Sequence, residues 1–317
     1  MDAGMNRLNR ARHLRIRIVS GAAVALALLA VACASENLRD ELAAPPPDNS
    51  PAAVKRGEYL FDAANCVSCH TDKKHGGARL AGGRGLETPF GTFYSRNITP
   101  DPEHGIGAWS DQDFVRALPD GISPTGAHYF PAFPFPSFTL MTTRDMLDIK
   151  AYLFTQAPSA QADRPHDVPF PFNMRLTMVP WRALNFEPGP FVPDPARDAE
   201  WNRGAYLVNA VAHCGECHTP RDWLGALEQD RRFAGARLYG GTDLIALNIT
   251  PDAKDGIGKW SAQDIAFLLK SGFKQNGEAV NPTMGEVVDA TTKLTDADRL
   301  AIAKYLKTVP PQSGDGR

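Results

Sequence analysis

The sequence predicts an all-α protein made of two tandem copies of one small helical domain. Three observations predict it: an internal repeat offset by 147 to 153 residues, helix-start motifs that recur at that offset, and a segment rich in proline and aromatic residues between the copies. We expect an export signal at residues 1–34, a first domain at 53–156, a connecting segment at 157–199 and a second domain at 200–310. A chain of 317 residues is long enough to bury two such cores.

The internal repeat is visible as short motifs that occur once in each copy. Arg-Gly-x-Tyr-Leu stands at 56–60 and 203–207, Asn-Ile-Thr-Pro-Asp at 97–101 and 248–252, and Gly-Ile-Gly-x-Trp-Ser at 105–110 and 256–261. The same repeat pairs Tyr152 with Tyr305 near the end of each copy. Because the offset drifts little along the chain, few insertions separate the copies, and the repeat accounts for most of the sequence after the export signal.

Helices are predicted from paired start signals in each copy. A hydroxyl residue followed three positions later by aspartate is typical of a capping box, in which the hydroxyl accepts a free N–H of the first helical turn. This signal occurs at Ser110/Asp113, Thr142/Asp145, Ser261/Asp264 and Thr295/Asp298. Gly57 and Gly204 lie inside the first predicted helix of each copy, where glycine costs about 1 kcal/mol relative to alanine. A close helix crossing would explain both glycines.

The connecting segment differs in composition from the two copies. Its many prolines and aromatic residues include Pro169, Phe170, Pro171, Phe172 and Trp181. A flexible linker is rich in Gly and Ser and lacks such apolar bulk. We expect the segment to run extended across both domains and fix their relative orientation. The alternative is a semi-rigid spacer that contacts neither domain.

Four of the five cysteines fall in two Cys-x-x-Cys-His pentads. The first contains Cys66, Cys69 and His70, and the second contains Cys214, Cys217 and His218. Cysteines three residues apart share a helical face, so they can form thioethers with both vinyl groups of one porphyrin, while the following histidine binds the iron. We therefore expect two covalently attached haem c groups, with His70 and His218 as axial iron ligands. Structural zinc would need a closed set of four ligands, and a dithiol redox pair would need neither histidine.

The N-terminus resembles a secretory signal. Five arginines precede an apolar run at 18–32, and Cys33 follows it. Residues 28–33 resemble a bacterial lipoprotein signal, in which Cys33 would become the lipidated first residue, although Ala30 stands where leucine is usual. Ordinary cleavage after Ala32 or Ala34, or an uncleaved anchor, are the alternatives. In each case we expect a bacterial periplasmic protein, which suits thioether attachment of haem. Lipidation, which we favour, or an uncleaved anchor would hold it at the membrane, whereas ordinary cleavage would leave it free in the periplasm.

Charge excludes one class of partner. The formal net charge is −2, and removing residues 1–32 takes away five arginines and one aspartate, which leaves −6. An acidic protein has no electrostatic reason to bind a nucleic acid backbone. The negative charge favours, at most, a protein partner that docks through a basic surface.

The motifs together resemble those of a known family. The pentads, the repeated loops at 97–101 and 248–252, and residues 213–221 and 284–288 resemble dihaem class I cytochromes c, like the cytochrome subunits of periplasmic alcohol dehydrogenases and of nicotinate or isoquinoline-type molybdenum hydroxylases. The resemblance covers about 53–310. It implies a class I cytochrome c domain in each copy, with Gly57 meeting Tyr152 and Gly204 meeting Tyr305 where the helices cross. Alcohol dehydrogenase subunits carry three haems, so the match to that subgroup is partial.

The sixth iron ligand is expected to differ between the copies. Met284 matches the axial methionine of the family in the second copy. In the first copy related subunits read Tyr-Pro-Ala-Met-Pro-Tyr, whereas this chain places Phe133 at the methionine. His128 as ligand, Met141 as ligand, or an open iron are the three alternatives for the first haem. An open or histidine-ligated iron has a lower potential than one with a thioether ligand, which predicts that electrons enter at the first haem and leave from the second.

The predicted function is electron transfer. We expect a dihaem cytochrome c that takes electrons from a periplasmic dehydrogenase of molybdenum, quinoprotein or flavin type and passes them to a downstream cytochrome or oxidase of the respiratory chain. By itself such a subunit is not expected to be an enzyme. A dihaem cytochrome c peroxidase, or a thiosulfate-dehydrogenase-type haem enzyme, is the alternative, because Phe133 leaves the first iron without its methionine.

Overall fold

The structure is a computed structural model, and it describes residues 48–238 and 244–314. The predicted export signal and Cys33 lie outside the described residues. Within the described ranges, no helix combines the length and the apolar character needed to cross a membrane.

Helices form most of the regular structure. The first half (residues 48–156) contains α1 (Pro51–Ala63), α2 (Cys66–His70), α3 (Asp111–Asp120), α4 (Phe135–Phe138) and α5 (Thr143–Leu153). The connecting segment (residues 157–199) contains α6 (Met178–Asn185). The second half (residues 200–314) begins within α7 (Ala199–Tyr206), which a π-helical turn at Leu207–Val211 continues, followed by α8 (Gly215–His218), α9 (Ala262–Ser271), α10 (Pro282–Thr291) and α11 (Asp296–Leu306).

The all-α prediction is correct only approximately, because each half also contains a small antiparallel sheet. In the first half, β1 (Gly85–Thr88) pairs with β2 (Gly91–Tyr94). In the second half, β3 (Ala236–Arg237) pairs with β4 (Ile245–Ala246). Strands of two to four residues are too short to show the alternation of apolar and polar residues by which strands are recognised in a sequence.

The first and last helices of each half cross in close contact at a glycine. A Cβ built on Gly57 would lie 1.8 Å from the carbonyl oxygen of Asp148 in α5, and one built on Gly204 would lie 1.9 Å from that of Ala301 in α11. The predicted crossings are therefore present. The atoms nearest to these glycines belong to backbone one turn before Tyr152 and Tyr305.

The tyrosine rings at these crossings pack against aromatic neighbours. Tyr152 packs on Phe61 with a centroid distance of 5.0 Å, and Tyr305 packs on Trp201 at 5.1 Å. Aromatic pairs at these distances add to the stability of the packed helices.

The four predicted helix starts are confirmed, but two are completed in an unexpected way. Ser110 and Ser261 form full capping boxes with Asp113 and Asp264 at the starts of α3 and α9. At α5 and α11 the hydroxyl of Thr142 or Thr295 caps the helix. The backbone N–H of this threonine, which in a full capping box would donate to the aspartate, donates instead to a tyrosine hydroxyl of the other half.

These tyrosines are Tyr59 and Tyr206. Thr295 N donates to the Tyr59 hydroxyl at 3.1 Å, and this hydroxyl donates to Asp298 at 2.6 Å. The mirror contact joins Thr142 N to the Tyr206 hydroxyl at 3.2 Å, and this hydroxyl in turn donates to Asp145. The two halves thus complete each other's helix caps through one reciprocal pair of hydrogen-bonded tyrosines.

One continuous apolar core runs through both halves. Fully buried members include Phe61 and Met146 from the first half and Leu207, Phe233 and Ile302 from the second. Because the core is shared, the two pentads are held on one rigid framework.

The connecting segment packs against both halves. Trp181 Nε1 donates to the carbonyl of Leu224 at 3.0 Å, and the Trp181 ring lies 6.2 Å from that of Phe135. Phe191 N donates to the carbonyl of Leu140 at 2.9 Å. The predicted packing is present, whereas the predicted extended run is interrupted by α6.

Candidate haem-binding sites

The first pentad forms one short helix directly after α1. Asn65 adopts a left-handed conformation with φ 52°, which turns the chain between α1 and α2. Cys66 and Cys69 then lie on one face of α2 as free thiols. Burial, together with the nearby charge of Cys69, raises the pKa of Cys66 to about 12. Two cysteines on one face of a helix fit attachment to one porphyrin, whereas a structural zinc site needs a closed set of four ligands.

The second pentad repeats this geometry. His213, the counterpart of Asn65, has φ 39°, and Cys214 is the N-cap of α8. Both cysteines of this pentad are free thiols. Burial is the largest cause that raises the pKa of Cys214 to about 12 and of Cys217 to about 11. The same chemistry is therefore available in both halves.

The histidine of each pentad is oriented by a backbone carbonyl. His70 Nδ1 lies 2.7 Å from the carbonyl oxygen of Arg96, and His218 Nδ1 lies 2.6 Å from that of Leu247. A carbonyl only accepts, so Nδ1 carries the proton and Nε2 keeps its lone pair for a metal. Burial lowers the pKa of both imidazoles, which favours the neutral form that binds iron. The residues present therefore fit a covalently attached haem in each half.

The repeated Asn-Ile-Thr-Pro-Asp loops hold these carbonyls in place. In the first loop, Asn97 Oδ1 accepts from Thr99 N at 2.9 Å and from the Thr99 hydroxyl at 2.7 Å. Asn248 makes the same two bonds to Thr250 at 2.8 and 2.7 Å. Arg96 and Leu247 come directly before these asparagines. The sequence showed the repeat of this loop, but not that it orients the histidine.

The predicted axial methionine of the second half lies in the first turn of α10. Asn281 caps this helix by accepting from Met284 N at 2.8 Å, and Pro282 takes the first helical position, where its missing N–H costs nothing. Met284 is half-buried against the common core. The cap therefore fixes the position of the methionine.

The corresponding segment of the first half has a different conformation. Phe130 occupies the place of Asn281 and offers no side-chain cap, so Phe133 N donates to the Phe130 carbonyl at 3.0 Å and the helix begins only at Phe135. Of the other candidate ligands, Met141 is 1% exposed in the core and His128 is half-buried beside the connecting segment. The structure does not bring Met141 and His128 together in one place.

The similarity of the chain to known proteins agrees with the geometry of two haem-binding pentads. The cytochrome c family model matches residues 54–157. The chain is 46% identical over 260 residues to a diheme cytochrome c-type protein of Cereibacter sphaeroides, which covers 81% of this chain and 86% of that protein. It is 41% identical over 261 residues to a nicotinate dehydrogenase subunit of Pseudomonas putida and 38% identical over 287 residues to the fructose dehydrogenase cytochrome subunit of Gluconobacter japonicus.

The chain belongs to the dihaem cytochrome c family. It carries electrons, and its cofactors are two covalently attached haem c groups. The cytochrome aligns with only part of the larger relatives: the match covers 82% of this chain but 22% of the nicotinate dehydrogenase subunit, and 90% of this chain but 58% of the fructose dehydrogenase subunit.

In this dihaem cytochrome c the two pentads lie next to each other. Cys66 and Cys214 both pack against the common apolar core. Phe138 of the first half packs on the His213 ring at 5.3 Å. The attachment sites of the cytochrome therefore face a common boundary between its halves.

Each pentad is linked to the opposite half through one side chain, Arg84 for the first pentad and Ser137 for the second. Arg84 donates to the carbonyl of Ser68, inside the first pentad, and to Glu286 at 2.7 Å, two residues after Met284. Ser137 donates at 2.7 Å to Glu216, inside the second pentad. Arg84 and Glu286 are 202 residues apart in the sequence, so no local pattern predicts this ion pair.

Proposed function

We propose that this dihaem cytochrome c works in the bacterial periplasm, where it accepts electrons from a dehydrogenase and delivers them to a downstream cytochrome or oxidase. Several relatives are named as subunits of nicotinate, fructose, alcohol or gluconate dehydrogenases, which supports a dehydrogenase partner of molybdenum, quinoprotein or flavin type. The apolar run followed by Cys33 supports export and a lipid or N-terminal anchor at the membrane.

The proposed architecture is two tandem class I cytochrome c domains with one haem each. Cys66 and Cys69 attach the first haem, whose proximal ligand is His70. Cys214 and Cys217 attach the second, which is bound by His218 and Met284. The repeated α1/α5 and α7/α11 crossings and the two oriented histidines support this assignment.

The observation that carries the proposal is the proximity of the two pentads. Cys66 and Cys214 both pack against one core that the halves share. Next to the second pentad, the His213 ring packs on Phe138 of the first half, and Ser137 of the first half donates at 2.7 Å to Glu216 inside that pentad. Electrons therefore have a short path from one attachment site to the other. The role of the chain is to fix this separation, the ligands and the burial, while the cofactors supply the redox chemistry.

The proposed direction of transfer follows from the segments that contain Phe133 and Met284, residues 130–135 and 281–286, which we call the distal segments. A thioether ligand raises the potential of a haem, and only the second half places a methionine at the family position. Electrons then enter at the first haem and leave from the second.

The test is pulse reduction of the full holoprotein. We expect two haems per chain by mass and pyridine haemochrome assay, and a first-order phase, independent of protein concentration, in which an electron moves from the first haem to the second. The matched control replaces Cys214 and Cys217 by alanine, which removes the second haem and this phase. A holoprotein with two haems but no concentration-independent phase would contradict the proposal.

Phe133 also favours a second candidate function, that of a dihaem cytochrome c peroxidase. In that case the protein would reduce hydrogen peroxide to two waters with two electrons and two protons, the electrons coming from its own reduced haems. Mixing the fully reduced protein with peroxide decides between the two: rapid oxidation of both haems, sustained when an external electron donor is added, supports the peroxidase.

A further inference from the structure

The turns that precede the two distal segments match hydrogen bond by hydrogen bond. In the first half, Tyr129 N donates to the Gly121 carbonyl at 2.7 Å, and in the second half Val280 N donates to the Gly272 carbonyl at 2.8 Å. Isolated antiparallel bridges join Ile122 with His128 and Phe273 with Ala279. The offset is 151 residues at every one of these pairs, which places Phe133 in register with Met284.

Met141 has a structural role that excludes it as a replacement ligand. It is 1% exposed in the core, directly before the cap residue Thr142 of α5. Its counterpart Leu294 is 3% exposed, directly before the cap residue Thr295 of α11. Because a leucine fills the same place in the second half, the methionine sulfur is not needed there for a metal.

His128 lies on the side of the connecting segment. Successive residues of an extended chain point to opposite sides, so His128 and Phe130 share one side and Tyr129 takes the other. Phe130 packs on Phe93 at 5.1 Å and under the Arg175 guanidinium at 4.9 Å, and Arg175 also donates to the His128 carbonyl at 2.6 Å. His128 Nδ1 is buried and has no hydrogen-bond partner among the described residues, so the experiment below includes this histidine.

In the first half, aromatic rings surround the position that corresponds to Met284 in the second half. Tyr129 meets Phe133 edge to face with a centroid distance of 5.6 Å, and Phe133 lies 5.6 Å from Phe138. The phenyl rings of Phe133 and Phe138 offer iron no ligand and favour uncharged guests, because a charged group loses its hydration against an apolar wall.

We propose that the first half leaves the sixth position of its iron without a protein ligand and lines that side with Phe133 and its aromatic neighbours, which makes it a binding site for a small uncharged haem ligand such as carbon monoxide or nitric oxide. This inference rests on the proposed attachment of a haem to the first pentad. The second half, which presents Met284, stays closed to the same ligands.

Carbon monoxide titration of the dithionite-reduced holoprotein tests the inference by optical absorption. We expect one carbon monoxide per chain, which is half the haem. Phe133→Met closes the first site and lowers the stoichiometry to zero, whereas Met284→Phe opens the second and raises it to two. Met141→Leu and His128→Ala leave it at one.

The contrary outcomes are distinct from one another. A wild-type protein that binds no carbon monoxide, together with a His128→Ala variant that binds one, assigns the ligand to His128 and overturns the inference. The same result for Met141→Leu overturns it in favour of Met141. Haem content is measured on the same samples: fewer than two haems per chain contradicts the proposed function itself, whereas two haems with no carbon monoxide binding contradicts only the open site.

Discussion

The two halves agree around the histidine of each pentad and differ in the distal segments, which contain Phe133 in the first half and Met284 in the second. His70 and His218 donate to equivalent carbonyls at 2.7 and 2.6 Å. On the other side, Asn281 and Pro282 start a ten-residue helix around Met284, whereas the first half has a turn and a four-residue helix. The duplicated framework therefore repeats the pentad with its oriented histidine and varies the segment around Met284 or Phe133.

The two segments also differ in how their helices are capped. Asn281 satisfies the first free N–H of α10, which is the function of an N-cap residue. Phe130, at the same place in the first half, has no oxygen or nitrogen in its side chain, and helix α4 starts with Pro134 as an N-cap that makes no side-chain hydrogen bond. Exchange of Asn281 for Phe130 thus removes the side-chain cap, and exchange of Met284 for Phe133 removes the sulfur that we propose as the iron ligand.

The largest predicted effect concerns the potential of the second haem. Met284→Phe gives the second half the side chain of the first, and we expect its midpoint potential to fall by a few tenths of a volt, within the range of about 0.8 V that axial ligands span. Spectroelectrochemical titration measures this. Val287→Leu, three residues along the same helix, is the control and is expected to leave the potential nearly unchanged.

The next effect tests the similarity of the two helix crossings. Gly57→Ala and Gly204→Ala each place a methyl group within 2 Å of a backbone carbonyl, so we expect each to lower the free energy of unfolding by about 3 kcal/mol or more. Urea unfolding of the holoprotein measures this, with exposed Glu58→Ala in α1 as the control. A loss at only one of the two glycines would break the equivalence of the crossings.

The shared helix caps are predicted to contribute less. Tyr59→Phe and Tyr206→Phe each remove the hydroxyl that joins a threonine N–H to an aspartate of the other half, and we expect losses of about 1–3 kcal/mol. The loss should be greater at Tyr206, which is buried, than at Tyr59, which is half-buried. Unfolding measurements on both single variants and on the double variant show whether the two contacts act independently.

The smallest predicted effect is a pH dependence at Asp298. Burial alone would raise the pKa of this carboxyl, but hydrogen bonds from Arg203 and Tyr59 outweigh burial and lower it. A lowered pKa means that the stabilisation is present above the unfolded value of about 4 and is lost as the pH falls through the folded value. Asp298→Asn should therefore flatten the decrease in stability below pH 4, and an unchanged acid limb would contradict this role.

Sequence patterns predicted the features that depend on local chemistry. The pentads, the threonine and serine caps and the crossing glycines Gly57 and Gly204 are all recognisable within a few residues of chain, and all are present. The short strands β1 to β4 were missed because two to four residues are too few to show alternation.

Contacts between the halves were also missed, because they depend on residues far apart in sequence. Tyr59 and Tyr206 belong to a repeated motif that was recognised, but the caps that they complete lie 236 and 64 residues away. Their recurrence was a signal of a shared role. Only the packed structure shows that each tyrosine completes a helix cap of the other half.

The central claim is that the two haems have unequal ligands because the two distal segments differ. Potentiometric titration of the holoprotein tests it most directly. The account predicts two separate midpoints, the lower one belonging to the first haem and rising towards the higher one in Phe133→Met. Two indistinguishable midpoints in the wild-type protein, unchanged in that variant, would contradict it.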